Sequence, residues 1–203
     1  MKLIYRDFRY FILVFGVSVY LNSCTNPFKT RDVEDPDISN TSDIYNQPFS
    51  NDVVLNNFYY SIIQKNITNY MLCFIDPMLV HDYVYRFIPD PSAETIKFRD
   101  WTRDDEAVYL NTVFRQSGTI DLKFLDDIIY TNISQSPDSV QTNSFRYELR
   151  IKFEDRDEVY TGTARMKLVI NINGLWAIYY WEDIKSVDLE SQSWSYLKAA
   201  YKN

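Results

Sequence analysis

A carboxylate in phase with an apolar strand face is the first place to look for chemistry. From Ile120 to Phe124 the chain alternates apolar and charged residues, and Asp126 continues the phase of Ile120, Leu122 and Phe124, with Ile128 and Tyr130 beyond it. Unbroken alternation buries Asp126. Burial raises a carboxyl pKa and makes the acid a useful proton carrier. The single histidine, His81, shares a strand face with Tyr83 and Tyr85, so Asp126, His81 and Tyr83 form the candidate catalytic set. Asp82 follows His81 but points the opposite way, which makes it a poor dyad partner. Two plainer readings stand beside this one. A bulge near Leu125-Asp126 turns the acid to water, and His81 is a packed, hydrogen-bonded side chain. There is no Gly-x-Ser-x-Gly nucleophile motif.

Composition narrows the options further. Four glycines in 203 residues leave little room for a Gly-rich phosphate loop. A net charge of −7 lacks the basic footprint of a nucleic-acid binder. Two cysteines and one histidine do not make a typical zinc site, so no metal and no cofactor is expected. Cys73 reads as a buried structural thiol.

The N-terminus carries a different chemistry. Lys2, Arg6 and Arg9 precede an apolar run from Tyr10 to Leu21. That run is short of the roughly 20 residues a bilayer span needs and fits a signal-peptide core. It ends in Leu21-Asn22-Ser23-Cys24, which resembles the lipobox of bacterial lipoproteins, with Cys24 as the lipidated residue. Residues 1–23 are therefore read as a lipoprotein signal peptide. Residues 24–47, acidic and without helical or strand period, are read as a disordered tether to the membrane.

The elements that must position the candidates lie in residues 48–203. Leu55, Phe58, Tyr59, Ile62 and Ile63 recur at helical spacing after Ser50, and Ile67, Tyr70, Met71, Phe74 and Ile75 repeat the pattern. Residues 80–88 read as a strand. Thr102 with Asp105 forms a capping-box start for a third helix, with Ala107, Leu110, Val113 and Phe114 as its stripe and Gly118 as its stop. Period-two segments then run from Ile120 to Lys185, interrupted by a loop at 132–142, and make a four-stranded antiparallel meander. Trp194, Leu197 and Tyr201 give a C-terminal helix. The fold class is α+β.

This order, closing on Gly174-Leu-Trp-Ala-Ile-Tyr-Tyr-Trp-Glu-Asp183, resembles the nuclear-transport-factor-2-like superfamily, cone-shaped and polyketide-cyclase-like. More narrowly it resembles bacterial envelope lipoproteins of that fold, which end in a Trp-x-Ile-x-x-Trp-x-Asp strand and a Ser-Trp-x-x-Leu-Lys-x-x-Tyr tail. Those positions are Trp176, Ile178, Trp181 and Asp183, then Ser193, Trp194, Leu197, Lys198 and Tyr201. The resemblance covers roughly residues 50–201. It implies a curved sheet around an interior where enzymes of the superfamily place a carboxylate, often with His or Tyr. It also implies a lipid-anchored location in the bacterial envelope. The superfamily holds enzymes and pure binding domains, so the fold alone assigns no activity.

The closing hairpin decides which face is which. A two-residue turn at Asn173-Gly174 pairs Ile172 with Leu175 and puts Leu175, Ala177, Tyr179 and Trp181 inside. Trp176, Ile178 and Tyr180 then form an outer apolar strip with Val169, rimmed by Arg165, Lys167 and Glu182. That strip is the candidate homodimer interface; stems of Lys167 and Arg165 lying over it are the alternative. The functional expectation is a tethered, non-catalytic domain that binds a small apolar ligand or a protein partner. The rivals are an enzyme using Asp126 and a structural protein with a filled core.

Overall fold

The computed structural model describes residues 44–80, 82–133, 136–187 and 192–202. The segment expected to be a signal peptide, Cys24, most of the expected tether and His81 lie outside the described residues.

Helix α1 (Asn51–Ile63) starts after Ser50, with Asp52 in its first turn, and buries Val54, Leu55, Phe58 and Ile62. The second helix, α2, is only Ile67–Met71, although the helical period continues to Ile75. Phe74 and Ile75 leave the helix to dock on the last strand. Ile75 N–H donates to Ile178 O at 3.0 Å, and Ile178 N–H donates to Cys73 O at 2.8 Å. Those two ladder bonds satisfy an edge that would otherwise be open. Cys73 is buried and free, and burial pushes its thiol pKa far up.

Strand β1 is shorter than expected, only Arg86–Ile88, and runs parallel to residues 180–182. Helix α3 (Arg103–Gln116) has the expected capping box between Thr102 and Asp105. It passes straight into β2 (Ser117–Phe124), so Gly118 is not a helix stop but sits at a register shift inside the strand. The expected loop at 132–142 contains a hairpin, β3 (Tyr130–Ile133) and β4 (Ser136–Thr142). Its few apolar residues hid it: Val140 and Thr142 are buried, and Thr142 Oγ1 accepts Met166 N–H at 2.9 Å.

Strands β5 (Phe145–Phe153), β6 (Asp157–Ile170) and β7 (Trp176–Lys185) form the meander. The sheet order is β1-β7-β6-β4-β3, with β5 also on β6 and β2 on β5. The long strand β6 thus has two partners along one edge, β5 against its first half and β4 near its end. Helix α4 (Trp194–Tyr201) closes the fold and buries Trp194 and Leu197.

The closing hairpin corrects the register. Asn171 N–H donates to Leu175 O at 2.8 Å, so the turn spans three residues, with Gly174 at φ 75°. Ile170 pairs with Trp176 and Leu168 with Ile178, one residue off the two-residue-turn register. A bulge at Tyr179 then restores the expected pairs Lys167–Tyr180, Met166–Trp181 and Arg165–Glu182. Ile178 therefore faces the core and is fully buried. The outer strip loses Ile178, and with it Trp176, which lies two residues away on the same side and packs against the core, while Val169 is itself buried. Trp176 and Tyr180 are half-buried, and Lys167 Nζ lies 4.7 Å above the Tyr180 ring.

Candidate functional site

Asp126 is not in the interior. Strand β2 ends at Phe124, the chain bends, and the side chain turns to the surface. There it pairs with Arg146: Nη2 donates to Oδ1 at 2.7 Å and the backbone N–H donates to Oδ2 at 2.7 Å. Hydrogen bonds from Arg146 hold its carboxyl at about 2, the opposite of a proton carrier near neutrality. Tyr83 is half-buried and its ring lies 4.6 Å from that of Tyr179, also away from Asp126.

The carboxylate inside the cone is Glu106 of α3, which has no exposed surface. It is there because helix α3 turns Glu106, Tyr109, Leu110, Val113 and Phe114 onto one face. Lys198 of α4, also fully buried, donates to Glu106 Oε1 at 2.5 Å. The same oxygen accepts Tyr85 OH at 2.6 Å and Trp101 Nε1 at 2.7 Å. Oε2 accepts Tyr70 OH at 2.9 Å. Four donors therefore hold this acid, as burial of a charge demands.

Burial, then the neighbouring Glu106 charge, drives the phenols of Tyr70, Tyr85 and Tyr109 well above their usual range. Burial pushes the Lys198 ammonium down to about 8, with the Glu106 charge opposing.

A second buried acid closes the network. Asp183 accepts Tyr147 OH at 2.6 Å, Ser195 N–H at 2.7 Å and Ser195 OH at 2.5 Å. Burial raises its pKa and those donors oppose the rise. Trp194 joins the two acids: its backbone N–H donates to Tyr147 OH at 2.8 Å, and its indole N–H donates to Tyr109 OH at 3.1 Å. Tyr109 OH lies 3.1 Å from Tyr70 OH, which reaches Glu106. Tyr147 can cross the sheet because residue 162 is glycine; a Cβ there would lie 2.6 Å from the Tyr147 hydroxyl.

Aromatic rings pack around this network, within a core that aliphatic side chains complete. Trp181 and Trp194 meet edge to face at 4.9 Å, and Phe58 lies 5.5 Å from Trp181 and 5.8 Å from Trp194. An external ligand would have to displace these rings to reach Glu106. Outside them lies an open cleft of about 460 Å³, lined by Ile75, Pro77, Val84, Tyr85, Trp101 and Arg103. Tyr85 and Trp101 form its floor and hold Glu106 from the other side. Arg103 donates to Met71 O at 3.0 Å, while its Nε is buried without a hydrogen-bond partner. Among the described residues no group of three or more His, Cys, Asp or Glu side chains could hold a metal ion.

Glu106 and Lys198 were legible in one respect. Glu106 stands at the head of the 109, 110, 113, 114 stripe, and Lys198 fits the 194, 197, 201 stripe at i+4. A charge inside an apolar helical period on each of two helices is the signal of a buried pair.

No protein-family model matches the sequence, and no curated protein does. Solved structures do match in shape. A nuclear transport factor 2-like superfamily protein from Salmonella enterica serovar Typhimurium LT2 aligns at TM-score 0.51 and 14% identity, over 67% of this chain and 88% of its own. A putative dehydratase of the NTF2-like family from Streptomyces avermitilis aligns at TM-score 0.52 and 9% identity, over 68% and 94%. A putative scytalone dehydratase from Novosphingobium aromaticivorans aligns at TM-score 0.53 and 10% identity, over 70% and 88%. At such identities the likeness is one of fold, and the fold is that of the nuclear-transport-factor-2-like superfamily.

Proposed function

We propose that this protein is a lipid-anchored protein of the bacterial envelope, tethered through Cys24, whose cone domain binds a ligand rather than transforming one. The ligand class is a small apolar molecule or an apolar segment of a partner protein. The observation that carries the binding reading is the state of Glu106. Its oxygens are taken up by Tyr70, Tyr85, Trp101 and Lys198, and the rings around it fill the space a substrate would need. A general acid must exchange its proton with the reacting group; Glu106 faces its own chain instead. Asp126, the carboxylate expected to serve an enzyme, sits in a surface ion pair.

Binding is therefore assigned to the outer cleft. Val84 is 82% exposed beside it and Met78, next to Pro77, is 80% exposed. A cleft of this volume with apolar walls falls in the range that takes small ligands. Arg103, which lines the cleft, offers a cationic side chain to fix orientation.

Two measurements test the proposal. Labelled palmitate should enter the wild-type chain in a lipoprotein-processing bacterium and should not enter Cys24→Ala. The Cys24→Ala protein should bind an apolar fluorescent probe saturably, and adding Val84→Asp should weaken that binding by about tenfold. Unchanged labelling of Cys24→Ala removes the anchor. Probe binding that ignores Val84→Asp removes the cleft.

A further inference from the structure

The surroundings of Lys198 exceed what a structural ion pair requires. Its ammonium lies 3.5 Å from the centre of the Phe87 ring and 3.6 Å from that of Trp181. Tyr109 and Trp101 stand at 5.3 and 5.5 Å. With Glu106 at 2.5 Å, the cation sits in a box of four ring faces and one carboxylate. This combination recognises ammonium groups: the rings supply cation–π attraction, strengthened by desolvation, and the carboxylate supplies charge.

The box is assembled without helix α4. Phe87 comes from β1, Trp101 from the segment just before α3, Glu106 from the first turn of α3, Tyr109 from its middle and Trp181 from β7. Tyr70, Tyr85 and Trp101 would go on holding the Glu106 carboxylate if Lys198 were absent. Helix α4 delivers the cation, and its Trp194 braces two of the rings from outside, meeting Trp181 edge to face at 4.9 Å and donating to Tyr109 OH at 3.1 Å. The helix is fastened by contacts outside the box, among them Lys97 Nζ to Ala199 O at 2.8 Å and Tyr196 OH to Ser92 O at 2.8 Å.

We infer that the cone contains an ammonium-binding cage whose resident ligand is the chain's own Lys198, and that the cage accepts a free primary alkylammonium once that side chain is removed. The fit is to a primary amine. Glu106 needs an N–H donor, and rings at 3.5 and 3.6 Å leave no room for three methyl groups on nitrogen. Any ligand reaching the interior of the intact protein must therefore be amine-terminated and must compete with α4.

Truncation supplies the test, because Lys198→Ala removes a side chain whose missing part is propylammonium. Unfolding of the full-length Lys198→Ala chain is followed at neutral pH with added n-propylammonium, with 1-propanol, and with trimethylpropylammonium. Propylammonium at roughly 10 mM should raise the midpoint by about 3 °C or more, as a ligand of the folded state does. The alcohol and the quaternary amine should leave it unchanged. The Glu106→Gln/Lys198→Ala protein should show no such rise. If Lys198→Ala does not fold unaided, refolding yield with and without propylammonium is the readout, and the amine should restore it. A primary amine that does no better than propanol, in midpoint or in yield, overturns the inference.

Discussion

Two carboxylate–cation pairs in this molecule use similar chemistry in opposite surroundings. Asp126 and Arg146 meet at the sheet surface, with side chains 30% and 64% exposed. Glu106 and Lys198 meet in the cone with no exposure at all. At the surface, water screens the attraction and solvates each partner alone, so such a pair contributes little. Inside, neither charge has an alternative partner outside its own network, and removing one strands the other. Geometry that looks equivalent thus has very different consequences, and only the inner pair can dictate what the interior of this fold is able to do.

The largest effect expected from this contrast is that of stranding a buried charge. Glu106→Leu leaves the Lys198 ammonium among aromatic rings and should cost about 3–5 kcal/mol of unfolding free energy in urea titrations. A loss below about 1 kcal/mol would show that the ammonium finds water, and the inner pair would then resemble the outer one.

Next comes the sheet crossing that serves the second buried acid. Gly162→Ala places a methyl group against the Tyr147 hydroxyl and Ile184 O. Overpacking of this kind costs about 1–3 kcal/mol and should loosen the Tyr147–Asp183 bond. The matched substitution Gly118→Ala meets only Lys152 O at 3.3 Å, and the same titration should show a smaller loss.

The pH dependence separates the pairs more finely. Lys198 has a folded pKa of about 8 against an ordinary 10.5, so between those values the unfolded chain binds more protons. Its contribution to stability is present above 10.5 and is lost as pH falls through 8. The buried phenols act oppositely: their folded pKa values lie above the ordinary 10.0, so their contribution is lost as pH rises beyond 10. The denaturation midpoint should therefore rise from pH 7.5 toward about 9.5 and fall above it. Lys198→Met should abolish the rise and keep the fall. A midpoint flat across this range in both proteins would contradict the assignment.

The smallest effect belongs to the outer pair. Asp126→Asn should leave the unfolding midpoint at neutral pH within the scatter of other surface substitutions, and a large loss would mean that the bend after β2 depends on it.

Legibility followed the range of the interactions involved. The capping box at Thr102 and Asp105 is local, and the structure contains it. The alternation along β5 and β6 is local too, and it identified the meander. Asp126 was misplaced because alternation was carried two residues past the point where the strand ends. Ile178 was misplaced because a three-residue turn and a bulge at Tyr179 each shift the register by one, and neither is encoded in period. Glu106 and Lys198 are 92 residues apart; each alone reads as a solvated charge, and only together do they explain their place in an apolar stripe. The short helix α2 yields Phe74 and Ile75 to the edge of β7, a tertiary demand that outweighs helical spacing.

The most direct measurement is the double-mutant cycle of Glu106→Leu and Lys198→Met, followed by urea unfolding of all four proteins. Each single variant should lose several kcal/mol, and the double variant should recover most of that loss because no charge is left buried. A double variant as unstable as the sum of the two singles would mean that the pair is not coupled, and the cone would not be closed by its own lysine.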